Sequence, residues 1–332
     1  MSGTTEASDI VEKGRRIALV IGVNHAPDSH LPALNHAAVD AEAMAEVLQQ
    51  HCNFELLEPP FLNEQATSDH IKKAVRKLAR QRTDDDFLLL YFSGHGQPMT
   101  VEADQPDVYF VTHDFNELDV EEDEDAHFSM RWLSEKLYKA TEAGRVLVIL
   151  DCCDAGNIGR TGPDPYFEEI QARIKKYLGA PSAESGAKSG GQRLALTATG
   201  HNTKALEKDG HGLLTGLLLP ALSGEVNDVL EVDNQGQVSL QRLHRYLETA
   251  MPPEQKPSLS GDFAGRSCVL ASYPARAAEL RRSHFQTRRL VSERPNTYIP
   301  FPRNSLFQPR QASSNNWKRF CSTLEPSSSL RV

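Results

Sequence analysis

The sequence predicts an α/β fold in which a mostly parallel β-sheet lies between helices. Apolar runs of strand length alternate with segments whose apolar residues recur at helical spacing, as they do in repeated strand–helix–strand units. Of the 332 residues, 39% are hydrophobic and 24% are charged, so the chain can bury a core of its own. The length fits two domains, or one large α/β domain with extensions.

The spacing of apolar residues predicts the first four elements. Residues 17–23 are apolar apart from one glycine, which indicates a buried strand. Residues 39–49 carry Ala, Met, Val and Leu at helical spacing. A short strand at 54–57 precedes an amphipathic, basic helix at 68–82, which Ser68 or Asp69 would cap.

Two further buried strands are predicted before the middle of the chain. Residues 87–92 are entirely apolar and lead directly into a polar segment flanked by glycines. A short strand at 108–111 and a helix near 130–141 follow. Residues 145–150 predict another buried strand, which also ends in a polar, glycine-flanked segment.

Residues 157–192 change character, because Gly, Pro, Ser and Lys dominate. We expect a surface-exposed excursion from the sheet, with one helix at 167–178 in its middle. The elements predicted after it are a strand at 194–199, helices at 212–222 and 240–251, and a strand near 257–260. Beyond Ser272, six prolines and several Ser and Asn clusters predict a tail rather than a packed domain.

The charge of the chain is divided unevenly. Residues 273–332 contain 11 Lys and Arg against 3 Asp and Glu, a net charge of +8, which leaves −17 on the remainder. So acidic a body would repel phosphate, and we expect no nucleic-acid binding by it. The basic tail alone suits contact with nucleic acid or an anionic membrane. Alternatively it folds back across the acidic body, as a pseudosubstrate or over a partner-binding face, or it is a disordered tail with no role in the free protein.

Several locations and classes of protein are excluded by the sequence. No apolar run approaches the ~18 residues of a membrane span, and the polar, acidic N-terminus does not resemble a secretory signal. Five cysteines, two of them adjacent, do not form a disulfide framework, and no CxxC pair suggests zinc. A reducing, cytoplasmic location without membrane contact is therefore expected.

Two predicted strands end in residues suited to nucleophilic catalysis. One delivers His95 between two glycines, and the other delivers Cys152 and Cys153 shortly before Gly156. The ends of parallel strands meet at one edge of a sheet, where ligands bind. A cysteine nucleophile needs a partner such as histidine to raise its thiolate fraction, and neighbouring glycines leave N–H groups able to face an oxyanion.

The residues around these strand ends resemble a known family. Tyr91-Phe92-Ser93-Gly94-His95-Gly96 and Asp151-Cys152-Cys153-Asp154-Ala155-Gly156 are similar to the paired signatures of the caspase–metacaspase cysteine peptidases. His95 precedes Cys153 by 58 residues, close to the caspase interval of about 50. Residues 18–24 resemble the first strand of metacaspase-like members, and His211-Gly212-Leu213-Leu214-Thr215 resembles the start of their small-subunit region.

The resemblance implies a fold and a division of the chain. It covers roughly residues 15–272 and implies a caspase-like fold with a six-stranded, mostly parallel sheet, as in prokaryotic metacaspase-like members. The implied regions are an N-terminal extension at 1–14, a large-subunit region at 15–156, an intersubunit linker at 157–192, a small-subunit region at 193–272 and a basic tail at 273–332.

The resemblance also implies roles for individual residues. His95 and Cys153 would form the catalytic dyad, and the N–H groups of Gly96 and Cys153 the oxyanion hole. Asp40, Ser93 and Asp151 would line a primary pocket that accepts Arg or Lys. A buried carboxylate pair suits a guanidinium through charge-assisted bonds, although Asp40 taken alone is equally well explained as a helix-surface or capping residue.

The expected activity is cleavage of protein substrates after Arg or Lys, within a cell-death or defence cascade. Self-cleavage or an upstream protease would activate such an enzyme in the linker, whose basic residues are Arg160, Arg173, Lys175, Lys176 and Lys188. An inactive, caspase-like interaction module is the alternative. No cofactor is expected, and calcium activation is left open. The acidic run at 119–125 lacks the ligand pattern of an EF-hand, so a solvated loop is expected there.

Overall fold

A computed structural model describes residues 14–100, 107–154, 172–179, 191–200, 207–208, 210–226, 233, 235–253, 255–263, 267–273 and 275. Of residues 121, 124, 153, 154, 199, 200, 207 and 208 it describes the backbone alone. These residues all belong to the first of two units of the chain, Met1–Arg282. The second unit, Ser283–Val332, lies outside the described residues, and with it nearly all of the predicted tail.

The described chain contains strands and helices in the predicted alternation. The strands are β1 Arg16–Gly22, β2 Glu55–Leu56, β3 Phe61–Leu62, β4 Phe87–Met99, β5 Asp107–Phe110, β6 Arg145–Asp154, β7 Gln192–Gly200, β8 Glu207–Lys208, β9 His211–Gly212, β10 Gln237–Ser239, β11 Gln255–Gly261 and β12 Val269–Ser272. The helices are α1 Ala37–Gln50, α2 Ser68–Ala79, α3 Glu117–Glu122, α4 Met130–Leu133, α5 Leu213–Ser223 and α6 Leu240–Ala250. Two π-helical turns, Ser134–Tyr138 and Ile174–Leu178, and two 3₁₀ turns, Asn63–Gln65 and Glu124–Ala126, complete the set.

Six strands form the body of the central sheet, in the order β11-β7-β6-β4-β1-β2. Within these six strands, β2, β1, β4, β6 and β7 are parallel to one another. The sixth strand, β11, lies at the edge and runs antiparallel to its neighbour β7. Two short strands add to this body, because β3 pairs with β1 and β5 pairs with β4. The predicted mostly parallel sheet is confirmed.

Both faces of the sheet are covered by helices. Alternate residues of β4 point to opposite faces, so Leu89 and Tyr91 lie in a core with α1, α5 and α6, whereas Leu88 and Leu90 lie in a second core with α2 and α4. Burial on both faces explains why the central strands read as continuous apolar runs rather than as alternating ones.

Helix α2 begins at Ser68 as predicted, but its N-cap and its last residue differ from the sequence prediction. Its N-cap is Thr67, whose hydroxyl accepts a hydrogen bond from the N–H of His70, and not Ser68 or Asp69. The helix stops at Ala79 because Arg80 takes an extended conformation with ψ 149°. A helical periodicity fixes the apolar face of a helix better than it fixes the residue at which the helix ends.

Three segments depart from what their composition predicts. The acidic run at 119–125 is not a plain loop, because it contributes to α3 and to a 3₁₀ turn, and Asn116 caps α3 by accepting from the N–H of Leu118. The helix expected at 130–141 is α4 followed by a wider π-helical turn. Within the predicted linker, Ile174 and Leu178 are buried in the core, so these two residues do not belong to an exposed excursion.

The length and the composition of the described helices decide whether one of them could cross a membrane. None of the helices in the described part of the chain has both the length and the apolar character that a membrane crossing requires.

Candidate active site

The two glycine-flanked segments lie side by side in the sheet. Strands β4 and β6 are parallel neighbours, and their register pairs Ser93 with Asp151 and His95 with Cys153. Strand β4 does not stop at Phe92 as the apolar pattern predicts, but runs on to Met99. Its extension is held by pairing with β6 on one side and with the antiparallel strand β5 on the other.

His95 is buried and held in one orientation. Its Nε2 atom lies 2.8 Å from the carbonyl oxygen of Pro32, and since a carbonyl can only accept, Nε2 carries the proton. In the neutral form of the ring, Nδ1 is then the nitrogen without a proton and can accept one. The backbone of His95 is held as well, because its carbonyl accepts from the N–H of Val111 at 3.0 Å.

The two adjacent cysteines are consecutive residues of strand β6. Cys152 is half-buried and packs against the core on the α2 side of the sheet. Cys153 is two residues from Asp151, and residues two apart on a strand share a face. The thiol of Cys153 lies outside the described part of the structure, so its assignment as the nucleophile stays a prediction.

The three residues predicted to line the primary pocket come together. Asp40, Ser93 and Asp151 are 2%, 3% and 6% exposed, and the Ser93 hydroxyl donates to Asp40 Oδ2 at 3.4 Å. A Cβ placed on Gly212 would stand 3.0 Å from Oδ2 of Asp40 and 3.0 Å from Oδ2 of Asp151. The two carboxylates therefore face each other across a glycine.

Asp40 reaches this position because α1 packs closely on the end of β1. A Cβ on Gly22 would stand 2.4 Å from the carbonyl oxygen of Ala37 and 2.6 Å from Cβ of Ala41, so only glycine permits this approach. The first turn of α1 is fixed by Asn24, whose side-chain oxygen accepts from the N–H of Ala38 at 2.9 Å.

Three residues that the sequence did not single out for this site bind the two carboxylates, and a fourth, Tyr91, binds one of the three. The N–H and hydroxyl of Thr215 donate to Asp151 Oδ2 at 3.1 and 2.5 Å, and the Tyr91 hydroxyl lies 2.5 Å from the Thr215 hydroxyl. His211 Nδ1 lies 2.7 Å from Asp40 Oδ1, and the N–H of Gly212 lies 3.2 Å from Asp40 Oδ2.

These contacts make the carboxylates the cap of α5. The N-cap residue of α5 is Gly212, which has no capping side chain, and the N–H groups of its first turn bind Asp40 and Asp151 instead. Carboxylates are stabilised at a helix N-terminus by its free N–H groups and its dipole. Asp40 is therefore not a surface residue or the cap of its own helix, whose N-cap is His36, but binds the start of α5 beside Asp151.

Burial makes both carboxyl groups hard to ionise. The pKa of Asp151 is raised to about 6, chiefly by burial and further by the charge of Asp40, against the hydrogen bonds from Thr215. Burial also raises the pKa of Asp40, while the hydrogen bonds from His211 and Gly212 oppose the rise. A positive charge placed beside them would oppose this rise and favour their ionised forms.

The remaining predicted site residues are placed as follows. Gly96 pairs with Phe110 of β5 and with Asp154 of β6, so strands flank its backbone on both sides, and its oxyanion role stays a prediction. Arg173, Lys175 and Lys176 lie in or beside the π-helical turn at 174–178. Arg160 and Lys188 lie outside the described residues. Among the side chains that the structure describes, no three His, Cys, Asp or Glu are grouped so as to hold a metal ion.

Comparison with known proteins bears on both fold and family. Protein GSU0716 from Geobacter sulfurreducens has a crystal structure that matches with a TM-score of 0.54 and 21% identity, covering 78% of this chain and 98% of that one. Caspase-1 from Spodoptera frugiperda matches with a TM-score of 0.45 and 13% identity, covering 78% and 91%. Among functionally curated proteins, none matches the sequence.

The family of the chain is identified by a match to a family model. The model described as the caspase domain of peptidase family C14 matches residues 15–268, which is most of the chain. Its span runs from the start of β1 to the residue before β12 and includes both glycine-flanked segments. The chain therefore belongs to the caspase-domain family, whose members are typically cysteine peptidases.

Proposed function

We propose that this protein is a cysteine endopeptidase that cleaves protein substrates after Arg or Lys, with His95 and Cys153 as its dyad. The observation that carries the proposal is the register of β4 and β6, which pairs His95 with Cys153 and, two residues earlier, Ser93 with the buried Asp151, beside which the buried Asp40 of α1 lies. A nucleophile, a base and a cation-binding pair are thus gathered at one edge of the sheet.

The chemistry follows from the orientation of His95. The Cys153 thiol loses its proton to Nδ1 of His95, and the thiolate attacks the scissile carbonyl carbon. The imidazolium then gives that proton to the leaving amine, which departs as the acyl-enzyme forms. Water, deprotonated by His95, hydrolyses the thioester and restores the thiol. The Pro32 carbonyl stabilises the imidazolium by accepting from Nε2 throughout.

The preference for a basic side chain is a matter of charge. Asp40 and Asp151 are both buried and face each other, so a cation between them relieves the repulsion of two carboxylates that burial has deprived of water. An acidic side chain would add a third negative charge to the same place. Cleavage after Asp is therefore excluded by the same pair that favours Arg.

A peptide panel tests this function. Fluorogenic peptides ending in Arg, Lys or Asp are incubated with the wild-type protein and with Cys153→Ala. We expect release after Arg and Lys, none after Asp, and none from the variant. Preferred cleavage after Asp would refute the charge argument, and no cleavage of any peptide by folded wild-type protein would favour a non-catalytic interaction module.

Activation by a cut in the linker is a separate part of the proposal. Lys175 and Lys176 are exposed, but the turn that carries them is anchored by Ile174 and Leu178 in the core, so a cut there requires the turn to open. We expect that replacing the five basic linker residues by Gln leaves an intact chain whose activity is reduced or delayed.

The measurement for this prediction is a time course of fragments on a gel beside peptide turnover. The matched control replaces Lys73 and Lys77, two exposed lysines of α2 that pair with Asp69 and Glu58. Full activity from uncut protein would end the idea of activation by cleavage, whatever the outcome of the peptide panel.

A further inference from the structure

We propose that the imidazole of His211 occupies the carboxylate site in the free protein, so that a basic substrate side chain must displace it and binds more weakly than the carboxylate pair alone would allow. The inference rests on the proposed function and adds a competitor within the same site.

His211 is the more exposed partner of the pair that it forms with Asp40. Its Nδ1 lies 2.7 Å from Asp40 Oδ1, and its side chain is 21% exposed while that of Asp40 is 2% exposed. The next residue is Gly212, a Cβ on which would stand 3.0 Å from the Oδ2 atoms of both Asp40 and Asp151. The imidazole is thus a partly exposed group bound to one of two buried carboxylates.

The other contacts of the two carboxylates are harder to remove. Asp151 is held by the backbone and side chain of Thr215, which is fully buried. Asp40 also accepts from the N–H of Gly212 and from Ser93, a buried residue of β4. His211 can leave by rotation of its own side chain, so its bond is the one that an incoming cation can replace.

Competition at Asp40 follows from the chemistry of the carboxylate. An ionised carboxylate only accepts hydrogen bonds, so His211 Nδ1 is the donor to Oδ1 in that state. A basic substrate group needs the same oxygen. The affinity of a ligand falls in proportion to the fraction of free protein whose site is open to it, so His211 lowers the affinity for every cation.

The loss falls equally on Arg and Lys, because both need the site free of the imidazole. A guanidinium is planar, is weakly hydrated and presents several N–H groups in a fork, so it can replace the imidazole bond at Asp40 and reach Asp151 at the same time. An ammonium is a compact, strongly hydrated charge without this geometry. A preference for Arg over Lys therefore comes from the carboxylate pair, and His211 lowers the affinity for both.

Small cations test the inference without turnover. Cys153→Ala protein, which cannot cleave itself, is titrated with benzamidine, a planar amidinium, and with benzylamine, which carries an ammonium on the same ring. We expect benzamidine to bind more tightly. Replacing His211 by Ala should tighten both ligands, by about tenfold if His211 occupies the site nine-tenths of the time. The gain should be the same for both ligands, so that the preference for the amidinium stays unchanged.

Two further variants keep the test decisive. His211→Gln keeps a hydrogen-bond donor and should lie between His211→Ala and the parent, which also covers the case in which His211→Ala fails to fold. His244→Gln is the matched control, because His244 lies on α6 beside Glu248 and its loss should change neither affinity.

These binding measurements distinguish a failure of the inference from a failure of the proposed function. If Asp151→Asn abolishes benzamidine binding but neither His211 variant tightens it, the inference is wrong and the basic pocket stands. If benzamidine does not bind even where Asp151 and Asp40 are intact, the basic pocket is itself refuted, and the inference with it.

Discussion

Cys153→Ala should lower peptide turnover by about 10³-fold or more, whereas Cys152→Ala should keep most of it, because removal of a catalytic nucleophile leaves only the contribution of binding and oxyanion stabilisation. The two cysteines are adjacent on β6, but Cys152 packs toward the α2 core while position 153 shares the face of Asp151. The measurement is kcat/KM for an Arg peptide with each variant.

A covalent probe separates the two thiols without reliance on turnover. A peptidyl electrophile with Arg at its reactive end should label wild-type protein and Cys152→Ala, and should fail to label Cys153→Ala. Circular dichroism of each variant provides the control for folding. Substantial labelling of Cys152 in the Cys153→Ala protein would contradict the assignment of the nucleophile.

Asp151→Asn should lower kcat/KM for Arg peptides by about a hundredfold, the cost of leaving a guanidinium without its charged partner in a desolvated site. Thr215→Val is the matched control. It removes one of two hydrogen bonds to Asp151 but keeps the carboxylate, so its loss should be several times smaller. Equal losses in the two variants would mean that Asp151 acts only as the cap of α5.

The pH dependence of the same measurement has a defined sign. The pKa of Asp151 is raised to about 6, so acidification below that value protonates the free enzyme and should lower kcat/KM for Arg peptides. Asp151→Asn should lack this contribution. For stability the sign is opposite. Because the folded pKa lies above the unfolded value, the contribution of Asp151 is fully present below the unfolded pKa and is lost as the pH rises through about 6.

The sequence predicts the elements whose pattern is local. The apolar run of β4 and the helical spacing of α1 are enough, since burial imposes those patterns wherever the element lies. The continuation of β4 from Ser93 to Met99 is not predictable in this way. Most of its residues are polar or glycine, and they form a strand because β5 and β6 supply partners, which is a tertiary effect.

The residues of the candidate site also fall into those that the sequence predicts and those that depend on tertiary contacts. Asp40, Ser93 and Asp151 were placed together through a family resemblance, whereas the bonds of His211, Gly212 and Thr215 to the two carboxylates were not expected. Thr215 is 64 residues from Asp151 along the chain, and no local pattern links the two. The segment at 211–215 was recognised, but a histidine and a threonine before a helix are also ordinary surface and capping residues.

Because the linker joins two paired strands, cleavage within it has a consequence for the stability of the protein. The linker joins β6 to β7, which are neighbours paired over six residues from Arg145 and Gln192 to Leu150 and Thr197. One apolar core also draws side chains from both sides of the linker, with Leu147 before it and Leu214 after it. A cut would thus turn one chain into an obligate heterodimer whose partners cannot separate without unfolding. The melting temperature of the cut protein would then rise with its concentration, as that of the uncut chain does not.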